Sequence, residues 1–368
     1  MKRTICLLCA LLLLPLAGCR AGDDPELTPP PTPEATQEVT QTPAPLPESE
    51  EPLPTPTPLP YLHPLTGLPC AEDLSGARPV AIMLNNLKTA LPQQGNGQAD
   101  IIYEVLAEGG ITRMLAVYQD PSRLGLIGSV RSARQYYWEI AQGHDAVYIH
   151  AGGSPEFYNT KYAKNLFTVD GVNGKYSDRS AGMFWRDRDR IPGHHYDVEH
   201  SLLTSGEAVA AMLANENREE HSDGYQYEMT FADDGMPVGG ADAAIVNVPF
   251  SSYKTGVFRY DEDTGLYLVE EYGEPYIDGN DNSQVAVTNL LVLQTTIIVL
   301  DDAGRVRVDL SAGKGWFACG GRMIPIRWEK GGANEQFRYF DEAGEPLALG
   351  RGKSYVCITP VSQTVTAR

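Results

Sequence analysis

The residues best suited to chemistry fall in three short stretches. In the first, Ala146-Val147-Tyr148-Ile149-His150 runs into Ala151-Gly152-Gly153-Ser154-Pro155-Glu156. That order predicts a strand, two glycines, and a serine N-cap with proline at the first helical position. His150 is thereby set at the carboxyl end of a strand beside a helix N-terminus, where open α/β sheets bind ligands. Free N–H groups and the positive helix end suit an anion, and a neutral His150 can donate, act as a base or ligate a metal. The same residues equally fit a histidine that satisfies a buried carbonyl inside a tight turn.

The second stretch, Gly128-Ser129-Val130-Arg131-Ser132-Ala133-Arg134, reads as another strand entering a helix, with Ser132 as the expected cap. Two guanidiniums three residues apart can converge, and their forked donors match phosphate or carboxylate oxygens. Arg113, leading a further strand, is placed to join them. The alternative is that these arginines pair with acidic residues such as Glu104 and Glu108 inside the domain. The third stretch runs from Phe184-Trp185-Arg186-Asp187-Arg188-Asp189-Arg190 to Ile191-Pro192-Gly193-His194-His195-Tyr196, with charges of alternating sign between aromatic and histidine residues. Pro192-Gly193 marks a turn, so this is an ordered loop, and loops held on an α/β scaffold commonly carry sites.

Other chemistries lack their residues. Pro155 and Glu156 occupy the places after the serine where a G-x-S-x-G elbow would continue, so Ser154 reads as a cap. Neither a Walker motif nor G-x-G-x-x-G occurs, and no cofactor is expected. A zinc site built from His150, His194, His195 and Asp187 lacks the i, i+4 helical spacing, and adjacent histidines point apart in extended chain, so no metal is expected. Asp278, Asn280 and Asn282 echo a calcium loop, but Ser283 and Asn289 stand where its glycine and glutamate belong, which leaves a turn. Lys314-Gly315-Trp316 and Arg327-Trp328 set aromatics beside cations, an arrangement suited to stacking on carbohydrate or peptide and more ordinarily to a β core.

The chain that must position these residues has 368 residues, 29 basic and 48 acidic side chains and a net charge of -19. Bulk charge of that sign excludes non-specific binding to nucleic acid or to an anionic membrane surface. Lys2 and Arg3 precede an apolar run from Ile5 to Leu16, which has the charge and length of a secretory leader. It ends Leu16-Ala17-Gly18-Cys19, which resembles the bacterial lipobox, so residues 1–18 are read as a lipoprotein signal peptide and Cys19 as the lipidated first residue. Residues 19–60 form a Pro/Thr/Glu-rich disordered linker, holding almost half of the chain's 27 prolines. Beyond the anchor the mature chain keeps Cys70, Cys319 and Cys357, for which a Cys319–Cys357 disulfide and buried free thiols are both open.

The folded part divides in character. Over residues 61–223, strands are expected at Pro79–Leu84, Met114–Tyr118, Leu124–Val130 and Ala146–His150. Helices are expected over Ala133–Gln142, stopped by Gly143, and about Ser205–Asn217; Ala99–Ala107 reads as helix or strand. This alternation implies an α/β domain with a mixed sheet. Over residues 224–368, runs of Val, Ile, Tyr and Phe are punctuated by turns such as Asp301-Asp302-Ala303-Gly304, which implies a smaller, mostly β domain.

Taken together, Leu126-Ile127-Gly128-Ser129-Val130-Arg131-Ser132-Ala133-Arg134, His150-Ala151-Gly152-Gly153-Ser154-Pro155, Phe184-Trp185-Arg186, Pro192-Gly193-His194-His195, and Gly315-Trp316-Phe317 through Trp328 resemble the YerB-like bacterial lipoproteins. The resemblance spans residues 61–360 and implies a lipobox, a spacer, two domains and anchoring at the extracytoplasmic face of the cell membrane, with no established reaction. Related sequences often read closer to Pro-His-Asn where this chain has Gly193-His194-His195. A fainter likeness, through Thr112-Arg113-Met114-Leu115-Ala116-Val117 and Gly128-Ser129-Val130-Arg131, is to extracytoplasmic wall-polymer phosphotransferases, whose metal-holding acids have no clear counterpart here. The expectation is an envelope binding protein for an anionic cell-wall ligand or a protein partner. Arg113, Arg131, Arg134, His150, Gly152, Gly153 and Ser154 would form its pocket, with Trp185, Arg186 and His195 on a loop over it. The alternatives are an envelope hydrolase or phosphotransferase with a histidine acid/base and an arginine clamp, or a structural scaffold.

Overall fold

The computed structural model describes residues 59–180 and 182–368. The signal peptide, Cys19 and nearly all of the linker lie outside the described residues. Hydrophobic runs that are buried along their whole length build the centre of an 11-stranded mixed sheet. In chain order its strands are β1 (Val80–Asn85), β2 (Ile101–Leu106), β3 (Thr112–Tyr118), β4 (Val147–His150), β5 (Val169–Asp170), β6 (Ala241–Asp242), β7 (Asn289–Thr295), β8 (Ala312–Cys319), β9 (Arg322–Glu329), β10 (Arg338–Phe340) and β11 (Ser354–Pro360). The spatial order is β6-β9-β8-β7-β11-β2-β3-β1-β4-β5, with β10 also paired to β9. Strand β11 runs parallel to both neighbours, β7 and β2, so the last long strand of the chain lies in the middle of the sheet. The fold is thus an α/β region with a mixed sheet followed by a mostly β region, joined through one hydrogen-bonded sheet.

Ala99–Ala107, open between helix and strand, is the central strand β2. Its Ile-Ile-Tyr-Glu-Val sequence is rich in β-formers, and every residue is buried. The strand expected over Leu124–Val130 contracts to Leu126–Gly128 and joins a separate three-stranded sheet with Leu202–Ser205 and Trp185–Arg186. Along β1, Val80, Ile82 and Leu84 face one core while Ala81 and Met83 face the other, the two-residue period of a strand covered on both sides. One face is covered by helix α1 (Gln135–Gly143) and by Phe157 of helix α2 (Pro155–Lys164). Helix α3 (Gly206–Glu216), with the Ser205 hydroxyl accepting from Ala208 N, packs on the opposite face. So does a six-stranded antiparallel sheet built around Ile245–Pro249, Thr255–Asp261 and Leu266–Glu271. Cys319 and Cys357 are free and buried, and they face opposite cores of the main sheet, which a disulfide cannot span. A reductant is therefore expected to leave the melting temperature unchanged, and both thiols should react with a thiol reagent only on unfolding.

One buried ionic cluster ties the two sheets together. Lys254, just before Thr255–Asp261, pairs with Glu104 of β2 at 2.9 Å and with Glu271 of the second sheet, and all three side chains are fully buried. Tyr355 of β11 donates to Glu104 Oε2 at 2.7 Å, Thr112 of β3 to Glu104 Oε1 at 2.6 Å, and Asn86 Nδ2 to Glu104 Oε1 at 2.9 Å. Burial first, then the neighbouring Glu104, pushes the Glu271 carboxyl up to about 8. Folding therefore holds a proton that an unfolded glutamate releases near 4.5. This contribution to stability is complete below the unfolded value and lost as pH rises through the folded one. Glu271→Gln should flatten the dependence of stability on pH between those limits, measured by urea unfolding. Lys254→Met should cost about 3–5 kcal/mol, because it leaves the buried Glu104 carboxylate without its cation.

Candidate functional site

A cleft of about 630 Å³ is bounded by the start of α1, the start of α2, the hairpin of Ile297–Val299 with Val306–Val308, and the turn at Lys330–Ala333. Two tyrosines fix the α1 wall. Tyr136 donates to Leu106 O at 2.7 Å and Tyr137 to Val105 O at 2.9 Å, which pins the helix to β2. Arg134 occupies the N-cap position of α1 with no capping bond from its side chain. Its guanidinium pairs with Glu108 and donates to Ala133 O, leaving a buried Nε without a partner. The neighbouring Gln135 has a buried, unpartnered Oε1. Ser154 caps α2 by accepting from Phe157 N at 3.3 Å and also lines the cleft.

Lys330, only 3% exposed, lines the facing wall. Its ammonium donates to Gly332 O at 2.8 Å and Ala333 O at 2.9 Å, and among the described residues no carboxylate lies within 4.0 Å of it. Burial pulls this amine down to about 8. Exposed Arg307 likewise has no carboxylate partner. The cleft also carries the acids Glu139, Glu156 and Asp309. Glu156 lies 3.6 Å from Arg305, Glu139 accepts from Gln135 Nε2 at 2.8 Å, and Asp309 accepts from Ser311 N at 2.9 Å. Arg134 is paired with Glu108 and Arg305 with Asp301 and Glu156, so the cleft cations without a carboxylate within 4.0 Å among the described residues are Lys330 and Arg307.

Of the residues chosen from sequence, Arg134 and Ser154 meet in this cleft and the others lie elsewhere. Arg113 shares Glu108 with Arg134, at 3.2 Å, and donates to Ser132 O at 3.0 Å, so the pairing with Glu108 is the one formed. Arg131 turns the other way and donates to Glu199 O at 2.8 Å. Burial and the nearby Arg113 bring its guanidinium down to about 10. Trp185 and Arg186 lie in the three-stranded sheet, where Arg186 donates to Asp178 at 2.7 Å and to Val198 O at 2.6 Å. His195 is exposed and 2.7 Å from Asp189. None of these five lines the cleft.

His150 is fully buried, at 2.8 Å from Gly152 O through Nδ1 and 3.0 Å from the Thr168 hydroxyl through Nε2. A carbonyl only accepts, so Nδ1 carries the proton and Nε2 accepts from Thr168. Burial holds the ring neutral, down to about 4. Gly152 sits at φ +70° and its N–H donates to Asp170 at 2.8 Å, while a Cβ on Gly153 would lie 2.8 Å from Phe157. These glycines are required by the turn's own geometry. An NMR titration should accordingly find the His150 ring neutral throughout the physiological range, titrating only near pH 4.

Several residues of interest gave weak sequence signals. Lys330 stands before Gly331-Gly332 with nothing to mark its burial, and Ile298 and Leu300 read as ordinary strand residues. Trp328 is a core residue that donates to Lys314 O at 3.1 Å, whereas Trp316 is half-buried beside Pro325 in a smaller groove. Asp278 is a turn residue whose carboxylate takes the N–H groups of Gly95, Gly97 and Asn280. Among the described residues no group of three or more His, Cys, Asp or Glu is arranged to hold a metal ion.

An α/β region and a β-rich region sharing one sheet define the class of protein. Two family models match the chain over those regions: "Protein of unknown function (DUF3048) N-terminal domain" over residues 65–219, and the corresponding C-terminal domain over residues 246–356. The chain is 30% identical over 301 residues to "Putative lipoprotein YerB" of Bacillus subtilis (strain 168), covering 81% of this chain and 86% of that one. A crystal structure of the YerB protein from Bacillus subtilis superposes with a TM-score of 0.70 at 26% identity, covering 83% of this chain and 99% of that one. The chain belongs to this YerB-like family of two-domain proteins.

Proposed function

We propose that this protein is a lipid-anchored binding protein of the bacterial cell envelope, held through Cys19 at the extracytoplasmic face of the membrane, whose cleft takes an anionic ligand. The observation that carries the binding reading is Lys330, a buried ammonium with no carboxylate within 4.0 Å among the described residues and only the more distant Glu139 and Glu335 acting on it, in the wall of a cleft that also receives the uncapped start of α1. A helix start favours negative charge, and a buried cation gains most from a partner that water cannot screen. Anchoring is supported by the leader and Leu16-Ala17-Gly18-Cys19 and by the relative named a lipoprotein. Among the described residues no helix is long and apolar enough to cross a membrane. A histidine acid/base is not favoured, because His150 has both ring nitrogens engaged and does not line the cleft.

The test is a thermal-shift and calorimetric screen with inorganic phosphate, pyrophosphate and muropeptide carboxylates. A ligand at a hundredfold its Kd should add about 2.7 kcal/mol to the native state. That gain should vanish in Lys330→Gln and persist in Arg131→Ala. Loss in Arg131→Ala with retention in Lys330→Gln would move the site to the loop side of the domain. No response to any anion would remove the reading.

A further inference from the structure

The hairpin wall of the cleft has a side-chain pattern of its own. Ile298 pairs with Arg307 across the hairpin, and the next pair on the same face is Leu300 with Arg305, joined by Leu300 N to Arg305 O at 2.7 Å. This face therefore carries an apolar stripe, Ile298 and Leu300, alongside a basic stripe, Arg307 and Arg305. Ile298 is 38% and Leu300 42% exposed although both line the cleft, so apolar surface is presented to a space large enough for a sizeable ligand. Val308, Leu310 and Lys330, all buried, also line the cleft.

A purely ionic ligand leaves that apolar wall wet, and a purely apolar one leaves Lys330 without an ion-pair partner in contact. Charge complementarity selects an occupant that does both. We infer that the cleft binds a single-chain amphiphilic anion, an alkyl or acyl chain ending in a phosphate or carboxylate, with its chain along Ile298 and Leu300 and its head toward Lys330. This rests on the anion-binding reading above and adds the class of ligand.

The experiment is a calorimetric series of n-alkyl phosphates from ethyl to decyl, each below its micelle concentration. It uses the mature chain from residue 19 with Cys19→Ser, so that no attached lipid or detergent competes. Affinity should rise about two- to fourfold with each added methylene, since a fully buried one contributes at most about fourfold. In the Ile298→Ser/Leu300→Ser double variant, both changes being at partly exposed positions, the short members should bind as before and the rise with chain length should disappear. In Lys330→Gln the short members should lose binding. Affinity independent of chain length would overturn the amphiphile while leaving the anion site intact. Decanol binding as tightly as decyl phosphate would overturn the requirement for a charged head. Failure of every member, inorganic phosphate included, would overturn both readings.

Discussion

The fold depends on the pairing of Lys254 with Glu104 and Glu271 where no water reaches. Two carboxyl groups close together in a medium of low polarity do not both ionise readily, so Glu271 keeps its proton into the neutral range, and one ammonium between them, with Tyr355, Thr112 and Asn86 donating to Glu104, makes the arrangement tolerable. The participants come from β2, β3, β11, the turn after β1 and the second sheet. The cluster forms only when the N-terminal and C-terminal halves are both in place. A register slip in any of these strands would strand a charge in the core, so the cluster selects one packing among those that hydrophobic burial alone would allow.

The cleft follows from that packing. Because β11 enters between β7 and β2, the C-terminal half is sewn to the N-terminal half through backbone hydrogen bonds, and the hairpin and the Lys330 turn are carried to the helix face. The walls come from opposite ends of the sequence: α1 and α2 from the α/β region, the hairpin and turn from the β-rich region. Neither region alone encloses the space. The arginines divide according to what surrounds them. Arg113 and Arg134 share one carboxylate, while Arg131, flanked by Arg113 and Arg186, leans on a backbone carbonyl.

The turn after β4 shows how a site-like motif is used structurally. Strand, glycines and capped helix are all present, yet each polar group is taken up locally: His150 by Gly152 and Thr168, Asp170 by Gly152, Val172 and Tyr158. The geometry that suits an anion at a strand's end is here filled by the Asp170 carboxylate. The helix start without a side-chain cap lies one helix away, at α1.

The sequence by itself determined what short-range chemistry controls: the capped start of α2, the approximate places of α1 and α3, the switch from α/β to β-rich character, and the family; the expected Ser132 cap is not formed, and α1 begins two residues later, at Gln135. Local signals sufficed because propensity, capping and turn formation act over a few residues. The tertiary structure alone decided the rest. Ala99–Ala107 had two readings until its place between β11 and β3 buried both faces. The partners of Arg131 and Arg134, three residues apart, were opposite because one precedes the helix and the other begins it. Lys254 and Lys330 look like any surface lysines in sequence. Their burial is set by residues far away along the chain, and contacts between distant segments leave no trace in local spacing.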